Sequence, residues 1–166
     1  MNIDLKHISQ VALRWLLGGV FIFSGLVKCV DPVGTSIFVE KYLATYSLEA
    51  MLYLALPIAV LLATLEVVLG ILLIIGVLRK YVTLSATILL LLFTIITLLS
   101  ATVLPIGDCG CFGDAVKLTP WQTFAKNVVL LTMALLLLRN TEDRPHAWSR
   151  VVALVVSAVA LPFAIN

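Results

Sequence analysis

Long runs of Leu, Ile, Val, Ala and Thr alternate with short polar islands along this chain, and the lengths of the runs carry the first information. A hydrocarbon core about 30 Å thick needs roughly 20 apolar residues as a helix. The pattern predicts five such spans, at about 8–28, 51–78, 82–104, 120–138 and 147–165. Between the first two, Phe38, Tyr42, Leu43, Tyr46, Leu48 and Met51 recur at three- and four-residue spacing. That spacing predicts a short amphipathic helix within 29–50, lying in the membrane interface beside the bundle. Asp31-Pro32 marks its start, because proline disfavours helical backbone in the residue before it and is tolerated at the first helical position. Thr119-Pro120-Trp121-Gln122 has the order of a capping box, with Thr119 as N-cap and Gln122 able to reach back to it, so the fourth span starts there. Residues 105–118 then form a non-helical segment tethered at both ends.

Composition agrees. Of 166 residues, 62% are hydrophobic and 12% charged, and the mean hydropathy of +1.16 lies outside the range of a soluble domain. The expected fold is all-α: a four-helix transmembrane bundle over 1–138, followed by a link and a fifth transmembrane helix over 139–166. The first span is read as a retained anchor. Leu26-Val27-Lys28-Cys29 puts lysine where a lipoprotein signal wants a small residue, and no A-x-A-like cleavage site follows the apolar run. A net charge of +2 from 11 basic and 9 acidic residues leaves no basic patch for nucleic acid. No G-x-x-x-x-G-K-[ST] loop is present to hold a nucleotide.

Alternating the five spans places seven basic residues (Lys6, Arg14, Arg79, Lys80, Arg139, Arg144, Arg150) on the amino-terminal side and four (Lys28, Lys41, Lys117, Lys126) on the other. The positive-inside bias predicts a cytoplasmic N-terminus, with residues 105–118 on the outer face of a bacterial inner membrane. All three cysteines then sit at or near the outer, oxidising face, where disulfides persist. His7 and His146 fall on the opposite side, which excludes a zinc site built from these cysteines and histidines.

The polar island Asp108-Cys109-Gly110-Cys111-Phe112-Gly113-Asp114 holds two of the three cysteines. In an extended strand the Cα atoms of residues two apart are roughly 6.5 Å apart, near the upper limit for an unstrained disulfide. A turn at Gly110 relieves this, giving a small, strained ring of the easily reduced, catalytic kind. Cys109 and Cys111 are the candidate redox pair; a fixed staple or two unreactive thiols is the plainer alternative. Cys29 is either a relay to that pair through a mixed disulfide or a small hydrophobe at a helix end. Glu66 sits roughly 18 Å from the inner end of the second span at 1.5 Å per residue. An acid at that depth faces the bundle interior and marks a pathway or a partner: it handles protons beside a bound quinone, or it pairs with Arg14. Arg14 could instead snorkel to headgroups. The third span's hydroxyls (Thr83, Ser85, Thr87, Thr94, Thr97, Ser100, Thr102) are read as packing groups, as are Gly18, Gly19, Gly25, Gly70 and Gly76. Trp15, Trp121 and Trp148 fit interfacial anchoring.

The chain resembles the DoxX/MauE-like membrane proteins. The likeness rests on Phe23-Ser24-Gly25-Leu26-Val27-Lys28, the Asp31-Pro32 loop, Leu65-Glu66-Val67-Val68-Leu69-Gly70 and, above all, Cys109-Gly110-Cys111-Phe112-Gly113-Asp114. It spans about residues 8–138. The resemblance implies a four-helix membrane bundle associated with thiol redox chemistry, linked in MauE-like proteins to disulfide maturation of methylamine dehydrogenase and in some DoxX-like relatives to quinone-coupled sulfur oxidation. By position it assigns the redox role to Cys109 and Cys111 only. The fifth span departs from the four-helix pattern, and some relatives continue past such a span into an outer soluble domain. Two functions follow as expectations. One is a thiol–disulfide oxidoreductase that exchanges electrons with a thioredoxin-like or other outer-face thiol protein and passes them to a quinone. The other is a non-catalytic membrane subunit, maturation chaperone or small-solute carrier whose cysteine loop is a docking element.

Overall fold

The computed structural model describes residues 5–45, 48–102 and 119–140. Helix α1 runs Leu5–Val30, α2 Pro32–Thr45, α3 Ala55–Ile75 after a 3₁₀ turn at Glu49–Leu54, α4 Arg79–Thr102 and α5 Pro120–Arg139. Four stretches, Ile8–Val30, Ala50–Ile75, Arg79–Thr102 and Pro120–Arg139, are long and apolar enough to cross a membrane, matching the first four expected spans. The fifth span, at 147–165, and the cysteine loop lie outside the described residues.

The helix boundaries follow from local chemistry. Asp31 separates α1 from α2 and its Oδ1 accepts the Gly34 backbone N–H at 2.8 Å, a side-chain cap with Pro32 at the first helical position. Gly76 ends α3 in the left-handed region, φ 75°, with its N–H bonded to the Leu72 carbonyl, which suits a residue lacking Cβ. At α5 the capping box forms: Gln122 N–H donates to Thr119 Oγ1 at 3.4 Å, and Thr119 N–H donates to Gln122 Oε1 at 3.1 Å.

Two tight pairs, α1 with α3 and α4 with α5, make up the bundle. Small residues close the first pair. A Cβ on Gly18 would stand 2.7 Å from the Gly70 carbonyl oxygen, one on Gly70 2.7 Å from the Gly18 carbonyl oxygen, and one on Gly25 2.8 Å from that of Ala63. The helices therefore touch backbone to backbone, the arrangement membrane interfaces use when there is no hydrophobic drive between helices. Gly19 differs from the packing role expected of it, since a Cβ there would meet nothing within 4 Å; it is exposed, off the α3 interface.

A core of Leu17, Phe21, Leu72, Leu73, Val82, Ala86, Leu90, Leu130, Ala134 and Leu137 fills the half of the bundle nearer the α3–α4 turn. Large apolar side chains such as Trp15, Leu16, Leu61, Ile88 and Val129 face outward, while Thr83, Thr97, Ser100, Thr123 and Asn127 are buried. An apolar girdle of this extent needs lipid around it. The chain is a multi-pass, all-α membrane protein. Most threonine hydroxyls donate to the carbonyl four residues back, among them Thr87 to Thr83 and Thr94 to Leu90, as expected of packing groups. Helix α2 is less one-sided than its spacing predicted. Thr35 and Ser36 are buried whereas Val33 and Ile37 are exposed, so apolar residues occupy both of its faces.

Candidate functional site

At the end of the bundle where α1 and α4 finish and α5 begins, polar side chains converge. Lys28, in the last turn of α1, is only 4% exposed. Side chains of a helix lean toward its N-terminus, so Lys28 turns back into the bundle rather than out to water. Its Nζ lies 2.7 Å from Glu66 Oε2 and 2.9 Å from Oε1 on α3, and 2.7 Å from Ser24 Oγ one turn earlier. Three ammonium protons thus meet three acceptors. The Phe93 ring of α4, its centroid 5.8 Å from Nζ, adds a cation–π contact. Glu66 is 2% exposed, so both charges are held inside protein.

Of the two readings of Glu66, the one that pairs it with Arg14 is corrected, because its partner is Lys28. Fourteen residues separate Arg14 from Lys28 on α1, about 21 Å at the helical rise, so one carboxylate cannot serve both. Arg14 lies instead at the other end of the bundle, its Nη1 against the left-handed turn at Gly76. There it lines a narrow recess with Arg79 and Thr83. Its Nε and Nη1 are buried without a hydrogen-bond partner, as is Thr83 Oγ1.

Two spaces flank the Lys28–Glu66 pair. The larger, about 310 Å³, lies between α2, α3 and α4 and is lined by Lys28, Thr35, Phe38, Tyr42, Leu62, Phe93 and their neighbours. Tyr42 Oη and Ser100 Oγ, 2.7 Å apart, tie its α2 wall to α4. Its lining is apolar apart from one ammonium and a few hydroxyls, the character of a site for a hydrophobic small molecule. The smaller, about 20 Å³, is lined by Ser24, Glu66, Phe93, Lys126, Asn127 and their neighbours. Asn127, 2% exposed, donates weakly through Nδ2 to Thr97 Oγ1 at 3.4 Å.

Of the residues singled out in the sequence, Glu66 lies at this site and Arg14 does not. Cys29 is an exposed free thiol directly after Lys28. Cys109 and Cys111 lie outside the described residues. Both stalks of their loop belong to this end, however: α4 reaches Thr102 just past Ser100, and α5 begins after Thr119, one turn before the buried Thr123. Sequence reasoning counted Lys28 among the outer-side cations and gave no site role to Lys28, Ser24 or Asn127. The available signal was the four-residue Ser24-to-Lys28 spacing on a helix that is otherwise apolar there.

No metal-binding group of three or more His, Cys, Asp or Glu side chains occurs among the described residues. The site is that of a polytopic membrane bundle with a buried ion pair set between a large apolar cavity and a small recess of mixed lining. The chain belongs to the family described as methylamine utilisation protein MauE, whose match covers residues 6–140. It is also similar to "Protein TlpB" of Flavobacterium psychrophilum, 30% identical over 138 residues, covering 80% of this chain and 38% of that protein. The chain thus spans well under half the length of this curated relative. No solved structure matches it.

Proposed function

We propose that the chain is a membrane thiol–disulfide redox protein whose Cys109 and Cys111 cycle between dithiol and disulfide with an outer-face, thioredoxin-like thiol protein. The observation that carries the reading is positional: both stalks of the Cys-Gly-Cys loop start from the bundle end that holds the Lys28–Glu66 pair and the 310 Å³ cavity. Family membership supports it. In this reading the N-terminus is cytoplasmic, the loop faces the outside of the inner membrane, residues 1–138 form the working bundle, and 139–166 add a link and a further span.

The cavity fits the head group of a quinone in size and polarity. Its walls are apolar, and the Lys28 ammonium, held by Glu66 and Ser24, sets a single cation at its edge. A quinone would supply a two-electron, two-proton acceptor: two thiols become a disulfide while the quinone becomes a hydroquinone. The chain's part is to hold the ring against Phe93 and Phe38, keep water out, and orient the Lys28 ammonium. Cys29, exposed beside Lys28, is a candidate relay between loop and bundle.

Thiol trapping in intact cells tests the reading. The 109–111 pair should be found in both redox states, react from the outer face with a membrane-impermeant maleimide after reduction, and have a reduction potential above roughly −300 mV. Cys109→Ser and Cys111→Ser should each abolish disulfide transfer while leaving insertion intact. Serine variants with full biological activity would instead favour a non-catalytic subunit or chaperone.

A further inference from the structure

Among the described residues, the buried side-chain polar atoms that lack a hydrogen-bond partner all lie in one place. They are Arg14 Nε, Arg14 Nη1 and Thr83 Oγ1, and their side chains line a single narrow recess together with Arg79. An orphaned buried polar group calls for a partner, and Thr83, only 1% exposed, does not meet one in bulk water. Two guanidinium groups share the recess, and no described acid stands beside them. The described acids are Asp31, Glu40, Glu49 and Glu66; the first three belong to the opposite end of the bundle, and Glu66 is bound to Lys28. Arg79 Nε donates to the Gly76 carbonyl at 3.2 Å, which fixes its fork beside the turn.

Depth selects the ligand. Helix α3 ends at Ile75 and α4 begins at Arg79, so the three-residue link between these two spans lies at a membrane surface. Arg14 Nη1 is set against Gly76 in that link, and both arginines are half-buried. Trp15, next to Arg14, and Tyr81, two residues after Arg79, are 59% and 66% exposed, and exposed amphipathic rings of this kind sit at headgroup level.

We propose that this recess binds the phosphate of an anionic phospholipid, clamped between Arg14 and Arg79. Guanidinium forks match phosphate oxygens with paired, charge-assisted hydrogen bonds, and basic pockets between membrane helices hold anionic headgroups. The recess is too narrow to take a whole phosphate, so the group lies at its mouth with one oxygen turned inward to the Thr83 hydroxyl. Leu72, Leu73, Val77 and Val82, which complete the lining, are buried core side chains; they keep water away and so strengthen those bonds. The anion also offsets the repulsion between the two cations. This site is independent of the cysteine loop and of the cavity at the other end.

Native mass spectrometry of the full chain, released from nanodiscs of equimolar phosphatidylcholine and phosphatidylglycerol, tests it. The wild type should retain one phosphatidylglycerol in preference to phosphatidylcholine. Arg14→Gln and Arg79→Gln should each lower that preference about fivefold, the effect of one cation at a membrane surface. Thr83→Val, which keeps the shape and removes the hydroxyl, should lower it by less, and Lys41→Gln at the other end should leave it unchanged. Arg79→Gln carries the test where Arg14→Gln fails to fold, because Arg79 starts α4 at the surface. Equal retention of the two lipids by the wild type, or full preference in folded Arg79→Gln, overturns the proposal. An equal loss in Lys41→Gln would reduce the effect to net charge and overturn it as well. Loss of the preference on adding millimolar inorganic phosphate would assign the site to free phosphate and overturn the headgroup.

Discussion

Lys28 and Arg14 are two basic side chains on one helix, both drawn into the bundle, and they are handled in opposite ways. Lys28 is matched contact for contact by Glu66 and Ser24, whereas two nitrogens of Arg14 are buried without partners beside the Gly76 turn. Arg14 is close to the last carbonyls of α3, where the helix dipole favours a cation, and shares that end with Arg79. A cation needs a discrete acid at one end of the bundle and is tolerated without one at the other. The charge that has been built in lies at the end with the cavity.

The largest expected effect comes from breaking the matched end. Lys28→Met or Glu66→Ala alone should cost about 3–5 kcal/mol, because each strands a buried charge. The double variant Lys28→Met/Glu66→Leu should recover most of that loss, since two well-packed apolar residues can replace a buried pair at little cost. Chemical unfolding in mixed micelles measures both. A deficit in the double variant equal to the sum of the singles would show that the two residues act independently.

Gly76→Ala is next. A Cβ at φ 75° is strained and meets the Arg14 guanidinium, so a loss of more than about 1 kcal/mol is expected. Combining it with Arg14→Met should reduce that loss toward the backbone part alone. The smallest effect is Arg14→Met by itself: no hydrogen bond is lost and an apolar chain fills the same space, so thermal midpoints should change by an amount equivalent to under about 1 kcal/mol. A destabilisation as large as that of Lys28→Met would erase the contrast between the two ends.

Much of the fold was legible because its determinants are local. Run lengths located four spans, Asp31-Pro32 gave the α1–α2 break, and Thr119 with Gln122 gave the start of α5. What was not legible depends on which helix faces lie against each other. Glu66 was correctly read as facing inward, but the partner offered for it was Arg14, while Lys28 was counted only among the outer-side cations. Choosing Lys28 needed its side-chain direction and the pairing of α1 with α3. Gly18 and Gly19 look alike in sequence, yet only the first lies on the α3 side. Helix α2 misled for a related reason: its spacing marked one apolar face, but bilayer surroundings allow apolar residues on the other face as well.

The reciprocal contact of Gly18 and Gly70 has a mechanical meaning. A gap set by side chains can be adjusted by rotamer changes, whereas a gap set by two backbones has a hard stop. The distance between α1 and α3 is therefore gauged at a place with no chemistry, and the 2.7 Å reach of Lys28 to Glu66 inherits that gauge ten residues further along α1. A side chain added at Gly18 would act as a shim, opening the far end of the pair and lengthening a contact it never touches.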